Sequence, residues 1–239
     1  MSIKYSIIYP YYSRPELRYT LSFMFQLYHL RDDIEIVIVE DSKNFNDKVL
    51  HDELVSIITG WDNFHIRHIL DPRESYNSAS KYNRGVEVAT GDIIILSNPE
   101  VVHCGDVLGY LDIHMMPGLY PVFDCASVIL KTEKTGNMLL DFVQWYQHKT
   151  IPRDYHFLSA ITREDYKTVG GFDERLCGGL AFEDDFWIKA VRKSLTVLRV
   201  EDPVCAHIEH PRSYSLTPED KQRLFDINRK LWEDEQSNP

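Results

Sequence analysis

The chain has 239 residues, 44% of them hydrophobic, and a formal net charge of −11. This length and apolar fraction are enough to bury a sizeable core, and they favour one large domain over a set of small ones. The acidic balance argues against a general nucleic-acid binder or a binder of anionic membranes, although a local basic patch can still hold a nucleotide diphosphate.

Strands and helices alternate along the first hundred residues. The patterns predict strands over residues 3–9, 34–39, 64–69 and 92–96, and helices from Pro15 to about residue 30 and over residues 52–59 and 75–89. This alternation predicts an α/β fold with a mostly parallel central sheet flanked by helices. Ligands bind at the carboxyl ends of the strands in such sheets, and Glu40 and Asp41 follow the second strand.

The second half has a looser pattern. It predicts helices over residues 106–115 and 137–148, strands near residues 126–130 and 157–161, a short helix capped near Thr162, and a final helix that starts at Thr217. No internal repeat or long linker interrupts the chain. We therefore expect a single domain over residues 1–214 and a helical tail over residues 215–239.

Residues 170–187 carry the strongest indication of chemistry. Two glycine pairs flank a Phe-Asp-Glu sequence, and three acids, Glu183, Asp184 and Asp185, follow them. Glycine pairs permit unusual backbone conformations and let a substrate approach the main chain. The apolar spacing after the acids predicts an amphipathic helix whose first turn directs them differently, with at least one facing a cleft as a general base. The alternative is that the acids only complement the helix dipole.

This loop resembles the Gly-Gly-Phe-Asp-Glu…Glu-Asp region of family 2 glycosyltransferases and of relatives with the GT-A fold. The resemblance implies a Rossmann-like GT-A domain, with a nucleotide-sugar half over about residues 1–100 and an acceptor half over residues 101–214. It also implies that Asp184 is the catalytic base. The residues implied to bind the acceptor, a glycan or another hydroxyl compound, are Glu183, Asp185, Gly178 and Gly179.

Two further segments resemble the parts of this family that hold the nucleotide. Residues 7–14 match its first strand and turn, and residues 80–92 match its Asn-x-Gly…Ala-x-Gly-Asp helix. The sequence Glu40-Asp41-Ser42 resembles its Asp-Asp-Ser, in which a carboxylate accepts a hydrogen bond from the imide N–H of the base, as uracil would offer. The nucleotide-binding residues implied by the resemblance are Pro10, Tyr12, Arg14, Glu40, Asp41, Lys81, Arg84 and Asn98.

Less specific interpretations of these residues stay open. Glu40 can be a polar strand end exposed to solvent, in which case Asp41 is the better candidate for reading the base. Lys81 and Arg84 can neutralise phosphate oxygens, or they can be ordinary surface charges. We expect a UDP sugar as the donor.

The metal motif departs from the family pattern. The family usually has Asp-x-Asp after a hydrophobic strand, whereas this chain has Asn98 and Glu100, one carboxylate fewer. The resemblance still implies a Mn²⁺ or Mg²⁺ site, because both side chains offer oxygen to a hard cation. A histidine after the last strand completes the manganese site in many GT-A enzymes, which points first to His207 and then to His210. The alternative is that each is an ordinary surface histidine without a bound metal, which is the commoner situation for this residue.

The implied activity is transfer of a sugar from a nucleotide-diphosphate donor to an acceptor hydroxyl, with inversion and with a divalent cation. A module that binds nucleotide or glycan without turnover is one alternative, because Asn98 replaces an expected carboxylate. A nucleotidyltransferase is another, although the glycine-rich phosphate loop typical of such enzymes is absent near the first strand.

The sequence also indicates a compartment. No apolar signal core precedes the first strand, and no apolar run is long enough to span a bilayer. The four cysteines are far apart and include no Cys-x-x-Cys pair, so neither a zinc knuckle nor a dense disulfide framework is indicated. We expect free thiols, no nucleic-acid partner and a cytoplasmic protein.

Overall fold

One sheet and the helices on its two faces make up the computed structural model, which describes residues 3–61, 64–73, 77–133, 137–176, 182–210 and 217–237. Within these residues there are nine strands: β1 (Tyr5–Tyr11), β2 (Ile34–Asp41), β3 (His65–Asp71), β4 (Ile93–Ser97), β5 (Val101–His103), β6 (Leu119–Thr132), β7 (Met138–Gln147), β8 (Leu158–Thr162) and β9 (Thr196–Ile208). The eight helices are α1 (Leu17–Tyr28), α2 (Ser42–Asn46), α3 (Lys48–Ile58), α4 (Ser78–Val88), α5 (Val107–His114), α6 (Arg163–Val169), α7 (Phe182–Ser194) and α8 (Pro218–Ser237).

The strands form a single mixed sheet in the order β3-β2-β1-β4-β8-β6-β9-β5, and β7 pairs with β6. β1 to β4 are parallel to one another. β8 is antiparallel to β4 and β6, whereas β9 is parallel to β6 and antiparallel to β5. The predicted α/β fold with a central sheet is confirmed, and its parallel half is the part in which we expected the nucleotide.

Both faces of the central strands are buried, because alternate residues of these strands meet different helices. On β1, Ile7 and Tyr9 pack in a core that includes α1, α3 and α5. Ile8, between them, packs in a second core that includes α4, α6 and α7. Residues 36–39 of β2 form a continuous apolar run because both faces of this strand are covered as well. This part of the sheet therefore lies between two helical layers.

Most predicted elements are present with ends displaced by a few residues. The helix predicted over residues 137–148 is wrong, since this segment is strand β7, antiparallel to β6. Its Phe142, Val143 and Trp145 suit a pleated surface, and the ladder to β6 outweighs a weak helical periodicity. The strand predicted near residues 126–130 is the C-terminal part of the 14-residue β6.

The short helix after β8 follows the predicted cap, since the Thr162 hydroxyl accepts from Asp165 N–H at 3.1 Å. Thr217 does the same for Asp220 at the start of α8, also at 3.1 Å. α8 packs on α7, with Phe225 against Phe182 at a ring-centroid distance of 5.4 Å. The helix expected in the tail is therefore present and covers the outer side of α7.

Two further expectations concern the thiols and the helices. Cys104, Cys125 and Cys205 are free, as predicted, and Cys177 lies outside the described residues. Among the described helices, none combines the length and the apolar character that crossing a membrane requires.

Candidate active site

The register between β5 and β9 brings the residues after β4 to the end of β9. Val101 is the partner of His207 in this ladder, and Ile208 N–H donates to the Glu100 carbonyl at 2.9 Å. Glu100 Oε1 consequently lies 3.3 Å from His207 Nε2 and 3.4 Å from His210 Nε2. The structure thus places the three residues predicted as metal ligands in one cluster, in which Glu100 and His207 are buried.

The donor atoms of this cluster fit a divalent cation. One carboxylate oxygen and two imidazole nitrogens lie within 4.8 Å of one another, a set that suits Mn²⁺. Glu100 Oε2 and His207 Nδ1 are buried without a hydrogen-bond partner, which is uncommon in folded proteins. Burial alone would raise the pKa of Glu100, but the two histidines and Arg14 hold it well below its ordinary value, so the carboxylate is ionised.

Arg14 and Asn98 lie beside this cluster. Arg14 Nε is 3.5 Å from Glu100 Oε2. Asn98 Oδ1 accepts from the Tyr82 hydroxyl at 3.0 Å, so this neutral oxygen already has a donor. Pro10 is buried within β1, where it is the partner of Val39 in the ladder with β2.

Asp41 and Glu40 are both buried at the end of β2. Asp41 Oδ1 accepts from Lys43 N–H at 2.9 Å, and Asp41 Oδ2 lies 2.7 Å from Lys81 Nζ. Glu40 accepts from Asn44 Nδ2 at 2.5 Å and is held by histidines on its other side. The interpretation of Glu40 as a solvent-exposed strand end is therefore wrong. A nucleobase that bound the Asp41 carboxylate would share this carboxylate with Lys81. Tyr12 lies close enough that burial and the Asp41 charge raise the pKa of its phenol.

Lys81 and Arg84 occupy opposite environments on α4. Lys81 is 0% exposed, with Nζ 2.7 Å from Asp41 and 3.9 Å from Asp71. Burial lowers the pKa of Lys81, although both carboxylates oppose this change. Arg84 is exposed, and its Nε donates to the Leu70 carbonyl at 2.9 Å. The surface-charge interpretation is wrong for Lys81 and stays open for Arg84.

The three acids occupy the first turn of α7 and point to different partners, as predicted. Glu183 Oε1 accepts from Ser78 Oγ at 2.9 Å, at the start of α4. Asp185 Oδ1 accepts from the Tyr155 hydroxyl at 3.4 Å. Burial, together with the charge of Asp184, raises the pKa of both Glu183 and Asp185. Gly178 and Gly179 lie outside the described residues.

Asp184 faces a histidine that the sequence analysis missed. Its Oδ1 lies 2.8 Å from Nδ1 of His156, which is buried, whereas the Asp184 side chain is partly exposed. The His156 ring packs edge-on against Tyr82 and Phe172, with centroids 5.0 Å away in each case. A lone histidine before a predicted strand has no pattern that distinguishes it, so only the fold identifies this pair.

The Gly-Gly-Phe-Asp-Glu segment has a clear packing role. The Phe172 ring stacks between Tyr82 and Trp187, at centroid distances of 4.9 and 4.2 Å. Asn83 fixes the backbone there, accepting from Phe172 N–H at 2.8 Å and donating to Phe172 C=O at 2.9 Å. Gly171 has φ +76°, and a Cβ at this position would lie 2.8 Å from Asn83 Oδ1, so the close approach requires glycine.

The Glu100–His207–His210 cluster, named the metal-ligand cluster after its predicted role, and Asp184 lie on one continuous edge of the sheet. Tyr82 donates to Asn98 and packs on His156. Phe157, which follows His156 in the chain, packs edge-on against the His207 ring, with centroids 5.8 Å apart. A carboxylate–histidine cluster and a histidine-paired carboxylate therefore face the same region.

The mixed sheet between helical layers is similar to the fold of GT-A glycosyltransferases, as solved structures of such enzymes show. The mannosyltransferase PcManGT from Pyrobaculum calidifontis, solved with GDP-Man and Mn²⁺, matches with a TM-score of 0.62 and 15% identity, over 90% of this chain and 59% of that chain. TarS 1–349 from S. aureus, solved with UDP-GlcNAc, matches with a TM-score of 0.59 and 15% identity, over 95% of this chain and 65% of that chain.

The catalytic domain of Drosophila β1,4-galactosyltransferase 7, in complex with xylobiose, has a TM-score of 0.55 and 15% identity over 95% of this chain and 79% of that chain. At this identity the likenesses establish the fold alone. The chain spans less than two thirds of the mannosyltransferase and of TarS. No protein-family model and no curated protein sequence matches it.

Proposed function

We propose that the protein transfers a sugar from a nucleotide-diphosphate donor to an acceptor hydroxyl, with inversion at the anomeric carbon. The observation that carries the proposal is the pairing, on one edge of a GT-A sheet, of the Glu100–His207–His210 cluster with the His156–Asp184 pair. The structural neighbours support it, because two of them were solved with a nucleotide sugar. As in the sequence analysis, we assign residues 1–100 mainly to the donor and residues 101–214 mainly to the acceptor.

On the donor side, Glu100, His207 and His210 would hold Mn²⁺ or Mg²⁺, with Asn98 beside them. A cation there would offset the negative charge of the diphosphate as it leaves. Arg14, 3.5 Å from Glu100, adds a fixed positive charge at the same place. With a single carboxylate in the cluster, we expect weaker metal affinity than a two-carboxylate motif gives.

On the acceptor side, Asp184 removes the hydroxyl proton as the acceptor oxygen attacks the anomeric carbon. The bond from that carbon to the diphosphate breaks, and its electron pair leaves with the phosphate oxygen. His156 holds Oδ1 of Asp184 in place from a buried, aromatic-lined position. Attack from the side opposite the leaving group gives the inverted product. In this proposal Glu183 and Asp185 orient the acceptor.

For the nucleotide, we propose a UDP sugar with Asp41 at the base. A carboxylate only accepts hydrogen bonds, which suits the imide N–H of uracil. Lys81 balances the charge of Asp41 in the absence of a base. Glu40 is withdrawn as a base contact in this proposal, because Asn44 and two histidines already surround it.

Release of nucleotide from a panel of UDP and GDP sugars, measured with and without Mn²⁺, tests the proposal. We expect diphosphate release with at least one UDP sugar, dependent on added cation and faster with a suitable acceptor. Binding of donors without any release would favour a non-catalytic binding module. Release of pyrophosphate from a nucleoside triphosphate would instead indicate a nucleotidyltransferase.

A further inference from the structure

A second carboxylate–histidine cluster lies at the end of β2 on the face opposite Asp41. Residues alternate between faces along this strand, and Ile38 belongs to the core that includes α1 and α3. Glu40 shares the face of Ile38, and the β2–β3 register makes His68 the partner of Ile38. α3 covers this face and contributes His51. Three separate elements therefore bring Glu40, His51 and His68 together.

The potential ligand atoms of the three residues converge. Glu40 Oε2 lies 2.8 Å from His68 Nε2 and 3.0 Å from His51 Nδ1. All three atoms lie within 4.8 Å of one another, and the two imidazole centroids are 5.9 Å apart. Donors bound to one transition-metal ion at about 2.0 to 2.1 Å each are separated by roughly 3 Å. Small adjustments of the imidazoles would therefore admit an ion between them.

The carboxylate is prepared for such a role. Glu40 is buried, and the side chains of Asn44, His51 and His68 all contact its carboxylate. Asn44, itself fully buried, donates to Oε1 at 2.5 Å, while His68 Nε2 contacts Oε2 and His51 Nδ1 contacts both oxygens, at 3.1 Å from Oε1 and 3.0 Å from Oε2. Metal-bound carboxylates are usually oriented by an outer hydrogen bond of this kind.

We propose that Glu40, His51 and His68 form a binding site for a borderline divalent transition metal, with Zn²⁺ as the best match. Two imidazoles and one carboxylate are a familiar ligand set for this ion. Among the described residues, the ion-pair partners of Glu40 are the two histidines, whose imidazole nitrogens are the ligand atoms nearest its carboxylate. The side chains of His51 and His68 are 27% and 23% exposed, which leaves an open side for entry and for water ligands.

The site is connected to the turn after β1. Asn44 Oδ1 accepts from Ser13 N–H at 2.9 Å, and Ser13 has the uncommon positive φ of 44°. An ion that fixes Glu40 also fixes Asn44 and, through it, this turn between Tyr12 and Arg14. We therefore assign the ion a structural role at the edge of the donor region, distinct from the cation expected at Glu100.

Titration of the metal-free protein with Zn²⁺ alone, followed by calorimetry, tests the assignment. We expect two sites in the wild-type chain and one in the double variant His51→Gln/His68→Gln, with the remaining site lost on further change of His207 and His210. His65→Gln is the matched control, because His65 is exposed on the same strand β3 and should leave both sites intact.

A crystal soaked in Zn²⁺ and measured at the zinc absorption edge makes the test independent of whether the double variant folds. An anomalous peak between Glu40, His51 and His68 supports the proposal. A peak only at Glu100, or a wild-type stoichiometry of one that disappears with His207 and His210, overturns it and leaves the histidines as hydrogen-bond donors to Glu40. Neither measurement uses a donor sugar, so failure of the proposed transferase activity would not affect the result.

Discussion

His156 Nδ1 lies 2.8 Å from Asp184 Oδ1, and this contact joins the start of β8 to the start of α7. The atoms are at ion-pair distance, although the hydrogen-bond geometry is not met. His156 is buried between aromatic rings, whereas Asp184 keeps part of its surface exposed. Of the three acids at the start of α7, Asp184 is the one at ion-pair distance from His156 among the described contacts, and this contact holds one of its oxygens.

His156→Gln should lower turnover by about ten- to hundredfold, because a displaced base loses the alignment that its reaction needs. Donor affinity should not change, since His156 contacts Asp184 and not the metal-ligand cluster. Initial rates together with UDP titration separate the two effects. His114→Gln, at the exposed end of α5, is the control. An equal loss of rate and of UDP affinity would assign His156 to packing instead.

The metal-ligand cluster predicts a requirement for divalent cation. Activity should disappear in excess chelator and return with Mn²⁺ or Mg²⁺, and Glu100→Ala and His207→Ala should each raise the cation concentration needed for half-maximal rate. Each change removes one of three protein ligands, so affinity falls rather than turnover at saturating metal. Full activity in chelator would reject the metal role of this cluster and favour a transferase that relies on Arg14 and other fixed charges.

Lys81→Met should destabilise the fold by roughly 3 to 5 kcal/mol, because it leaves the buried Asp41 carboxylate without its counter-charge. Methionine keeps most of the length of the side chain, so lost packing contributes little. Denaturant unfolding measures the change. Lys48→Met is the comparison, since Lys48 pairs with Asp52 on an exposed helix surface and should leave stability almost unchanged. A small effect of Lys81→Met would show that Asp41 is stable without its partner.

Glu35 predicts a pH dependence of stability at the other end of β2. Burial opposes its ionised form, but hydrogen bonds from Ser6 Oγ and the Thr90 and Gly91 N–H groups outweigh this and lower the pKa of Glu35. A lowered pKa in the folded state contributes stability that is complete above the ordinary value of 4.5 and is lost as the pH falls through the folded-state pKa. Glu35→Gln should therefore cost about 1 to 3 kcal/mol at pH 7.

The difference between Glu35→Gln and the wild-type protein should shrink as the pH falls below 4.5. Unfolding curves at pH 7 and at several lower values check this. A difference that is constant with pH would mean that the neutral amide simply fits the site less well.

Local patterns were sufficient for much of this fold. The apolar run of β2, the cap at Thr162 and the first turn of α7 all depend on neighbours in sequence, and the structure contains each of them. β7 was misassigned because its stability comes from a ladder with β6, which a local period does not reveal. The burial of Lys81 could not be predicted from the sequence either, because only the tertiary fold places Asp41 and Asp71 around this side chain.

Only part of the candidate site could be predicted from the sequence. Glu100, His207 and His210 were grouped by resemblance, and the β5–β9 register brings them together. His156, His51 and His68 carry no local pattern, because each meets its carboxylate only through the tertiary fold.

The sharpest test of the reaction is Asp184→Asn. The amide keeps the size of the side chain but cannot accept the acceptor proton at neutral pH, so turnover should fall on the order of a hundredfold or more. Nucleotide affinity should be retained, because a base acts only when the acceptor attacks. Single-turnover sugar transfer together with UDP titration measures both quantities.

Asp185→Asn distinguishes the neighbouring acid. Asp185 accepts from Tyr155, and an amide oxygen can still accept that hydrogen bond, so we expect a higher acceptor KM and less than a tenfold loss of turnover. If the Asp185 variant is inactive and the Asp184 variant transfers sugar at nearly the wild-type rate, the base is Asp185 and His156 serves only the packing of α7. If both variants stay active, the acids at the start of α7 complement the helix dipole, and the proton is accepted elsewhere.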